Sequence, residues 1–198
     1  MDADDGTIAV RLARKIIVEE ATLTRSNREP ELTPPFDEPT GVFVTIHTYP
    51  QLALRGCIGF TEAAYPLRDA IEYAARSACH DPRFLDLEAD EINDIVVEVT
   101  ILMPPKAIPV KDKADLPKAI RIGRDGLMLE YRGRRSVFLP QVPGDWGWDA
   151  VEYLENLCQK AGLAKDMWKD KECIIFAFEG IIYRETSPDG DVEEVKEC

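Results

Sequence analysis

Alternating apolar side chains along residues 94–103 restrict the fold of this chain more than any other feature. Ile95, Val97, Val99 and Ile101 fall on one side of an extended strand, and Pro104-Pro105 ends it. Other strand-like and helix-like segments follow one another without strict strand–helix–strand alternation. This order favours an α+β fold, with a largely antiparallel sheet and helices packed against it.

Hydrophobic periodicity and turn residues assign the remaining elements. In chain order they predict a helix over 7–24, a hairpin of strands 41–48 and 51–60, a helix over 66–79, a hairpin of 127–131 and 136–139, a helix from about 149 to 161 and one apolar strand over 173–182. We expect irregular chain over 26–40, which carries four prolines, and over 106–117. The acidic tail from Ser187 is expected to fray.

The 198 residues suffice for one domain with a sizeable core or for two small subdomains. We expect a single domain over 1–198 with two parts. The larger subdomain is predicted to contain about 7–105 and 146–185, and the smaller one about 106–145.

The formal net charge of −13 disfavours general binding to nucleic acid or to an anionic membrane. The charge is unevenly spread, because residues 106–135 hold nine Lys/Arg and four Asp/Glu. A basic middle in an acidic protein is either a solvated face, which is the commoner case, or a site for an anionic partner.

The five cysteines are odd in number, and no two form a Cys-x-x-Cys unit. This pattern favours reduced thiols in the cytoplasm over a disulfide framework or a zinc knuckle. The two histidines, His47 and His80, are far apart in sequence and the thiols are not clustered, so we expect no bound transition metal. Gly123, Gly126 and Gly133 do not form a dinucleotide or P-loop pattern, and we expect no cofactor. His47 lies in a hydrophobic strand and is interpreted as a sheet histidine with satisfied hydrogen bonds.

Cys57 is the leading candidate for chemistry. Strand alternation places it on the same face as Arg55, and a cationic neighbour lowers a thiol pKa. Gly56 and Gly59 flank it and permit close approach of another backbone or of a ligand. The alternative is a small buried cysteine in a structural strand, since free cysteine is among the most buried residue types.

Four further residues complete the predicted site. His80 is a candidate base, although its position at a helix C-terminus favours the charged imidazolium. Glu98 interrupts an apolar strand and is either solvent-facing or paired with an arginine, in which case it serves as an acid/base or orienting residue. Arg83 is a candidate anion ligand with Arg55, or a salt-bridged turn residue with Asp81. Gln141 is a candidate for hydrogen bonding to a substrate, or a turn cap.

The hexapeptide Leu54-Arg55-Gly56-Cys57-Ile58-Gly59 also carries a resemblance. Together with segments 77–84, 138–142 and 157–163, it resembles the AMMECR-one domain family, named after a gene product of the Alport syndrome, midface hypoplasia and elliptocytosis chromosomal region. The resemblance implies a two-part α+β fold. It also implies an association with Memo-like or radical-SAM proteins in a shared modification pathway, and it does not define a molecular activity.

Two functions follow as hypotheses. The first is an enzyme or enzyme-associated protein whose cleft surrounds Arg55, Cys57, His80, Arg83 and Glu98, with thiol-based group transfer to a small anionic substrate. The second is a non-catalytic module that docks a Memo-like or radical-SAM partner through the basic residues Arg132, Arg134 and Arg135 and the pair Trp146 and Trp148. A nucleic-acid-linked regulator is a weaker alternative, because the chain is strongly acidic.

Overall fold

The computed structural model describes residues 3–25 and 30–195. The chain divides into two compact units, one formed by Met1–Leu102 with Ile181–Cys198 and the other by Met103–Gly180. Its α-helices and two sheets make it an α+β protein, as predicted. The predicted loop over 26–40 falls partly outside the described residues. Its remainder contains a turn of 3₁₀-helix at Pro34–Asp37.

The first unit contains a five-stranded sheet and two helices. The elements in chain order are α1 (Ala3–Thr22), β1 (Val42–Thr48), β2 (Leu54–Phe60), α2 (Leu67–Cys79), β3 (Ile95–Leu102), β8 (Gly180–Glu185) and β9 (Val192–Val195). The strand order is β2-β1-β3-β8-β9. β1 is antiparallel to both β2 and β3, so the predicted hairpin is confirmed and the predicted strand over 94–103 lies at the centre of the sheet.

One face of this sheet forms the core of the first unit. The alternating residues of β3 meet the apolar sides of α1 and α2, where side-chain burial supplies the main stabilisation. The fully buried contributors include Ala9, Ile17, Val42, Val44, Ile46, Leu67, Ile71, Ala74, Val97 and Val99. The opposite face therefore carries the other residues of the same strands, which are mostly polar at the centre.

The second unit contains a four-stranded sheet of order β4-β7-β5-β6. Its elements in chain order are β4 (Lys106–Ala107), α3 (Leu116–Ala119), β5 (Gly126–Tyr131), β6 (Arg134–Phe138), α4 (Val142–Trp146), α5 (Ala150–Lys160) and β7 (Ile174–Phe178). The predicted hairpin of β5 and β6 is confirmed, and its turn residues Arg132 and Gly133 have φ of 46° and 78°. Asp149 caps α5 through the N–H groups of Val151 and Glu152.

The second unit is larger than the predicted 106–145 subdomain. Residues 146–180 belong to it rather than to the larger one, because β7 pairs with β5 and the buried side of α5 packs in the same core as β5 and β7. The chain passes out of the first unit at Leu102 and back at Ile181. A hydrogen bond from the Met103 N–H to the Glu179 carbonyl oxygen (2.8 Å) joins the two connecting segments.

Two predictions for the C-terminal part were wrong. The apolar run 173–182 is two strands, because β7 completes the sheet of the second unit and β8 that of the first. The acidic tail forms β9, which pairs with β8. Arg11 holds the turn before β9, since it donates to Asp189 Oδ1 (3.0 Å) and to the Gly190 carbonyl oxygen (2.6 Å).

A buried ion pair joins α1 to β8. Arg14 donates Nε–H to Glu185 Oε1 (3.0 Å) and Nη2–H to Oε2, and both side chains are almost fully buried. Arg14 also donates to the carbonyl oxygens of Ile92 (3.1 Å) and Ile95 (2.8 Å). Glu185 Oε2 accepts the Val97 N–H (2.9 Å), so this one pair connects α1, β3 and β8.

We expect Glu185→Gln to lower the free energy of unfolding by about 3 kcal/mol or more, because it leaves the Arg14 guanidinium buried without a full counter-charge. Urea denaturation followed by circular dichroism measures the change. Glu194→Gln is the control, since Glu194 is exposed on the neighbouring strand β9. Equal losses in the two variants would contradict the structural role of the pair.

Candidate functional site

The strand that carries the hexapeptide, β2, lies at the edge of the five-stranded sheet. Its two glycines are explained by close contacts. A Cβ on Gly56 would lie 2.3 Å from the Ala78 carbonyl oxygen of α2, and one on Gly59 would lie 2.2 Å from the Val42 carbonyl oxygen of β1. The glycines therefore allow α2 and β1 to pack against β2, which is a structural role.

The outer backbone edge of β2 is closed at Cys57 by a pair of side chains. The Cys57 N–H donates to Asp81 Oδ2 (2.9 Å), and Arg83 Nη2 donates to the Cys57 carbonyl oxygen (3.2 Å). Arg83 also binds Asp81 through Nε–H (2.9 Å) and Nη2–H (2.6 Å). The Asp81–Arg83 pair thus satisfies both backbone groups that a further strand would otherwise bind.

This arrangement changes the chemistry of Asp81. The Arg83 guanidinium, with help from the backbone N–H groups of Cys57 and Arg83, holds the pKa of the Asp81 carboxyl well below its ordinary range. Asp81 is buried, whereas the side chain of Arg83 is about half exposed. Of the two alternatives for Arg83, the structure shows the salt-bridged turn.

Arg55 does not contact the Cys57 thiol. Its guanidinium binds Glu91 through two hydrogen bonds (2.7 and 2.8 Å) and donates to the carbonyl oxygens of Leu85 and Asp86. Glu91 is the main cause of its raised pKa. Arg55 and Arg83 both lie near the Phe84 ring, at 5.9 and 5.7 Å from its centroid. The predicted anion ligands therefore already hold carboxylates of the protein.

The Cys57 side chain lies on the sheet face away from the helices. In the register, Cys57 is opposite Thr45 of β1, which is opposite Glu98 of β3. The Thr45 hydroxyl donates to Cys57 Sγ (3.3 Å). Arg184 of β8 continues the series, because its Nη1 lies 3.5 Å from Glu98 Oε2. We call Cys57, Thr45, Glu98 and Arg184 the polar row.

His47 lies beside the polar row. It is two residues beyond Thr45 on the same face of β1, and its Nε2 is 3.6 Å from the same Glu98 oxygen that faces Arg184. Both ring nitrogens are buried without a hydrogen-bond partner among the described residues. The interpretation of His47 as a histidine with satisfied hydrogen bonds was therefore wrong. An unpaired buried imidazole is costly, so a purely structural role would not explain it.

The polar row places Cys57 and Glu98, both predicted from the sequence, on one face. Glu98 is paired rather than solvent-facing, with only 14% of its side chain exposed. Burial raises the pKa of the Cys57 thiol, and the negative charges of Glu98 and Asp81 raise it further, while Thr45 and Arg83 oppose the shift. Cys57 is therefore a protonated thiol at neutral pH, contrary to the thiolate that Arg55 was expected to stabilise.

His80 is occupied by other partners. Its Nε2 lies 3.1 Å from Glu20 Oε1 and its Nδ1 lies 3.0 Å from Asp86 Oδ1. These two carboxylates raise the pKa of His80. With both nitrogens engaged at the end of α2, His80 lacks the free nitrogen that a base for Cys57 requires.

Gln141 belongs to the second unit, where it precedes α4 as the N-cap residue and is exposed. Its side chain makes no capping hydrogen bond. The preceding segment is anchored by the Tyr153 hydroxyl, which lies 3.2 and 3.3 Å from the carbonyl oxygens of Phe138 and Leu139. Its predicted role in substrate binding stays a prediction.

The basic residues predicted to dock a partner are bound within the second unit. Arg132 binds Glu172, Arg135 binds Glu130, and Arg134 donates to the carbonyl oxygens of Ala161 and Gly162. These contacts match the solvated basic face that was the commoner alternative. Because the side chains of Arg132 and Arg135 are still half or more exposed, their role in docking a partner stays a prediction.

The described residues, 3–25 and 30–195, contain no group of three or more His, Cys, Asp or Glu side chains arranged to hold a metal ion. None of their helices combines the length and apolar character needed to span a bilayer.

Thr45, His47 and Arg184 were missed as site residues by sequence reasoning. Thr45 and His47 are two residues apart in the predicted strand next to the one that carries Cys57, and this alternation could have placed both side chains on one face. No such pattern marked Arg184, because it follows the run 173–182, which was predicted as one strand instead of two. Pairing across four strands is needed to bring these residues beside Cys57.

The chain is similar to known proteins over most of its length. The AMMECR1 family model matches residues 10–183. The protein MJ0810 of Methanocaldococcus jannaschii is 47% identical over 195 residues, covering 98% of this chain and 96% of that protein. A protein of Aquifex aeolicus is 46% identical over 156 residues, covering 78% and 80% of the two chains.

A solved structure shares the fold. The crystal structure of the uncharacterized protein PH0010 from Pyrococcus horikoshii matches with a TM-score of 0.77 and 38% sequence identity, covering 100% of this chain and 99% of that one. The similarity therefore extends over both units.

We expect Asp81→Asn to destabilise the protein at neutral pH by about 1–3 kcal/mol, because it removes the charge from the hydrogen bonds with Arg83 and Cys57. The lowered pKa means that Asp81 stabilises the fold above about pH 4, and that this contribution is lost as the pH falls further. Urea denaturation at several pH values should therefore show a shallower acid dependence in the variant. Asp90→Asn, at an exposed carboxylate, is the control; an unchanged acid dependence in Asp81→Asn would refute this account.

Gly56→Ala should cost about 1–3 kcal/mol of stability, because the new methyl group would displace the Ala78 carbonyl oxygen of α2. Gly144→Ala is the matched control, since a Cβ at that position meets no atom within 4 Å. Thermal unfolding of both variants provides the comparison. A Gly56→Ala protein as stable as the control would show that α2 and β2 do not constrain each other.

Proposed function

The chain belongs to the AMMECR1 family, which assigns it no reaction, and we propose from the polar row that the protein is an enzyme. It transfers an acyl or similar group through Cys57. One observation carries the proposal. His47 has two buried, unpaired ring nitrogens beside Glu98, on the sheet face that holds the Cys57 thiol.

The raised pKa of Cys57 makes a base necessary. A thiol that is protonated at rest attacks a carbonyl carbon only if its proton is removed during the attack. Both ring nitrogens of His47 are without a hydrogen-bond partner among the described residues, so the ring has a nitrogen available for that proton. Glu98, 3.6 Å from Nε2, would stabilise the imidazolium that forms.

The proposed reaction has two balanced steps. The Cys57 sulfur forms a bond to the acyl carbon, its proton passes to His47, and the bond from the acyl carbon to the leaving group breaks as His47 protonates that group. An acceptor nucleophile then loses a proton to His47, takes the acyl group and restores the Cys57 thiol. Arg55 and Arg83 are each held by three or more side-chain hydrogen bonds, whereas Arg184 meets Glu98 through Nη1 at 3.5 Å. Arg184 is therefore the candidate group for a carboxylate of a small anionic substrate.

We expect p-nitrophenyl acetate, used as a probe, to acetylate Cys57 selectively in the folded protein. Cys79 and Cys173 are internal comparators, because they are buried and burial raises their pKa to about 12 and about 11. A Cys198→Ser background removes the thiol that lies outside the described residues. Peptide mass spectrometry locates the acetyl group, and nitrophenol release gives its rate.

His47→Gln should slow acetylation of Cys57 by about 100-fold or more, the ordinary contribution of a general base. Thr100→Ala, at a position on the same sheet face, is the control for nonspecific effects. An equal rate in His47→Gln and wild type would remove His47 from the mechanism. A Cys57 that is acetylated only after unfolding would remove the thiol mechanism altogether.

A further inference from the structure

A pair of tryptophans in the second unit forms an exposed aromatic surface that the Cys57 chemistry does not use. Trp146 and Trp148 stack with their ring centroids 6.0 Å apart and an interplanar angle of 17°. Trp146 is 72% exposed. Trp148 in turn contacts the Phe138 ring edge-on, with centroids 5.6 Å apart. One indole is thus held by the other, and much of its surface faces solvent.

The backbone around the pair is fixed by the ends of two helices. α4 ends at Trp146, and Gly147 follows in the left-handed conformation with φ of 67°. The Trp148 N–H donates to the Pro143 carbonyl oxygen (2.8 Å), and Asp149 begins α5 through its capping box. A contact residue on such a fixed backbone loses little conformational freedom when a partner binds.

The segment that carries the pair is acidic. Between Gln141 and Gln159 the chain has four acidic residues, Asp145, Asp149, Glu152 and Glu155, and no lysine or arginine. Lys160 follows this segment directly, but its ammonium is already engaged, since it lies 4.4 Å from the centroid of the Phe138 ring and donates to the Val137 carbonyl oxygen (2.7 Å). Asp145 is exposed and adjacent to Trp146. An aromatic face beside carboxylates complements a cation and repels an anionic partner such as nucleic acid.

We propose that Trp146 and Asp145 form a docking site for an arginine or lysine side chain in a basic segment of a partner protein. The cation would lie over the exposed indole face, and the Asp145 carboxylate would neutralise it. Exposed aromatic side chains on a rigid support are typical anchors of protein–protein contacts, and arginine is enriched on the opposing surface. This site is independent of the proposed enzyme activity, since it uses no residue of the polar row.

Calorimetric titration of the full chain tests the proposal, with a short peptide of alternating arginine and glycine as the probe. We expect binding that weakens as ionic strength rises, and roughly two- to fivefold weaker binding in Trp146→Ala. Asp145→Asn should weaken binding and reduce its dependence on salt. Leu23→Ala is the matched control, because Leu23 is a 91% exposed apolar residue of the first unit.

Several outcomes would overturn the proposal. They are no binding of the arginine peptide at low salt, equal binding of a matched glutamate–glycine peptide, or unchanged affinity in Trp146→Ala. A fourth is tetramethylammonium binding as tightly as the peptide, which would indicate a site for a small organic cation instead of a protein segment. Binding of the arginine peptide that is lost in Trp146→Ala and retained in Leu23→Ala would support it.

Discussion

The buried pair of Arg14 and Glu185 is the interaction on which the first unit depends. A guanidinium and a carboxylate removed from water are tolerated only when nearly all of their hydrogen-bonding groups are satisfied. Here they are satisfied by two carbonyl oxygens near the start of β3, by the Val97 N–H and by each other. Because these partners come from α1, β3 and β8, the pair fixes where the last strands join a sheet begun far earlier in the chain.

The position of β8 in turn determines the composition of the polar row. Tyr183 and Glu185 point toward the helices, so Arg184 points to the opposite face, beside Glu98. A shift of β8 by one residue would exchange these faces and remove the Arg184 guanidinium from beside Glu98. The chemistry proposed for Cys57 and His47 therefore relies on a structural ion pair on the other side of the sheet.

Local patterns predicted much of the fold. The β1–β2 hairpin, the strand β3, the helix α2 and the start of α5 near Asp149 all follow from residues close together in sequence, and the structure has each of them. The sequence does not show that the run 173–182 contains two strands, because a strand covered on both faces has the same continuous apolar pattern whichever sheet it joins. The strand β9 was missed because its stability comes from β8 and Arg11 rather than from its own acidic sequence.

The candidate site was only partly predictable, for a related reason. Cys57 and Glu98 stood out as unusual residues within their strands, but their common face depends on the register of β1 with both neighbours. Arg55 and His80 had the right chemical type, yet Glu91, Glu20 and Asp86 bind them, and these carboxylates lie in segments with no sequence signal for such contacts.

The path of the chain between β3 and β8 has a consequence for how the two units could vary. These strands are neighbours in the first sheet, and the whole second unit connects them, with its ends joined by the bond between Met103 and Glu179. The second unit has a sheet and a core of its own, so its fold, and not the length of its chain, sets the distance between its two ends. Insertions or deletions within the second unit would therefore leave the pairing of the first sheet, and the row of side chains that it supports, almost unaffected.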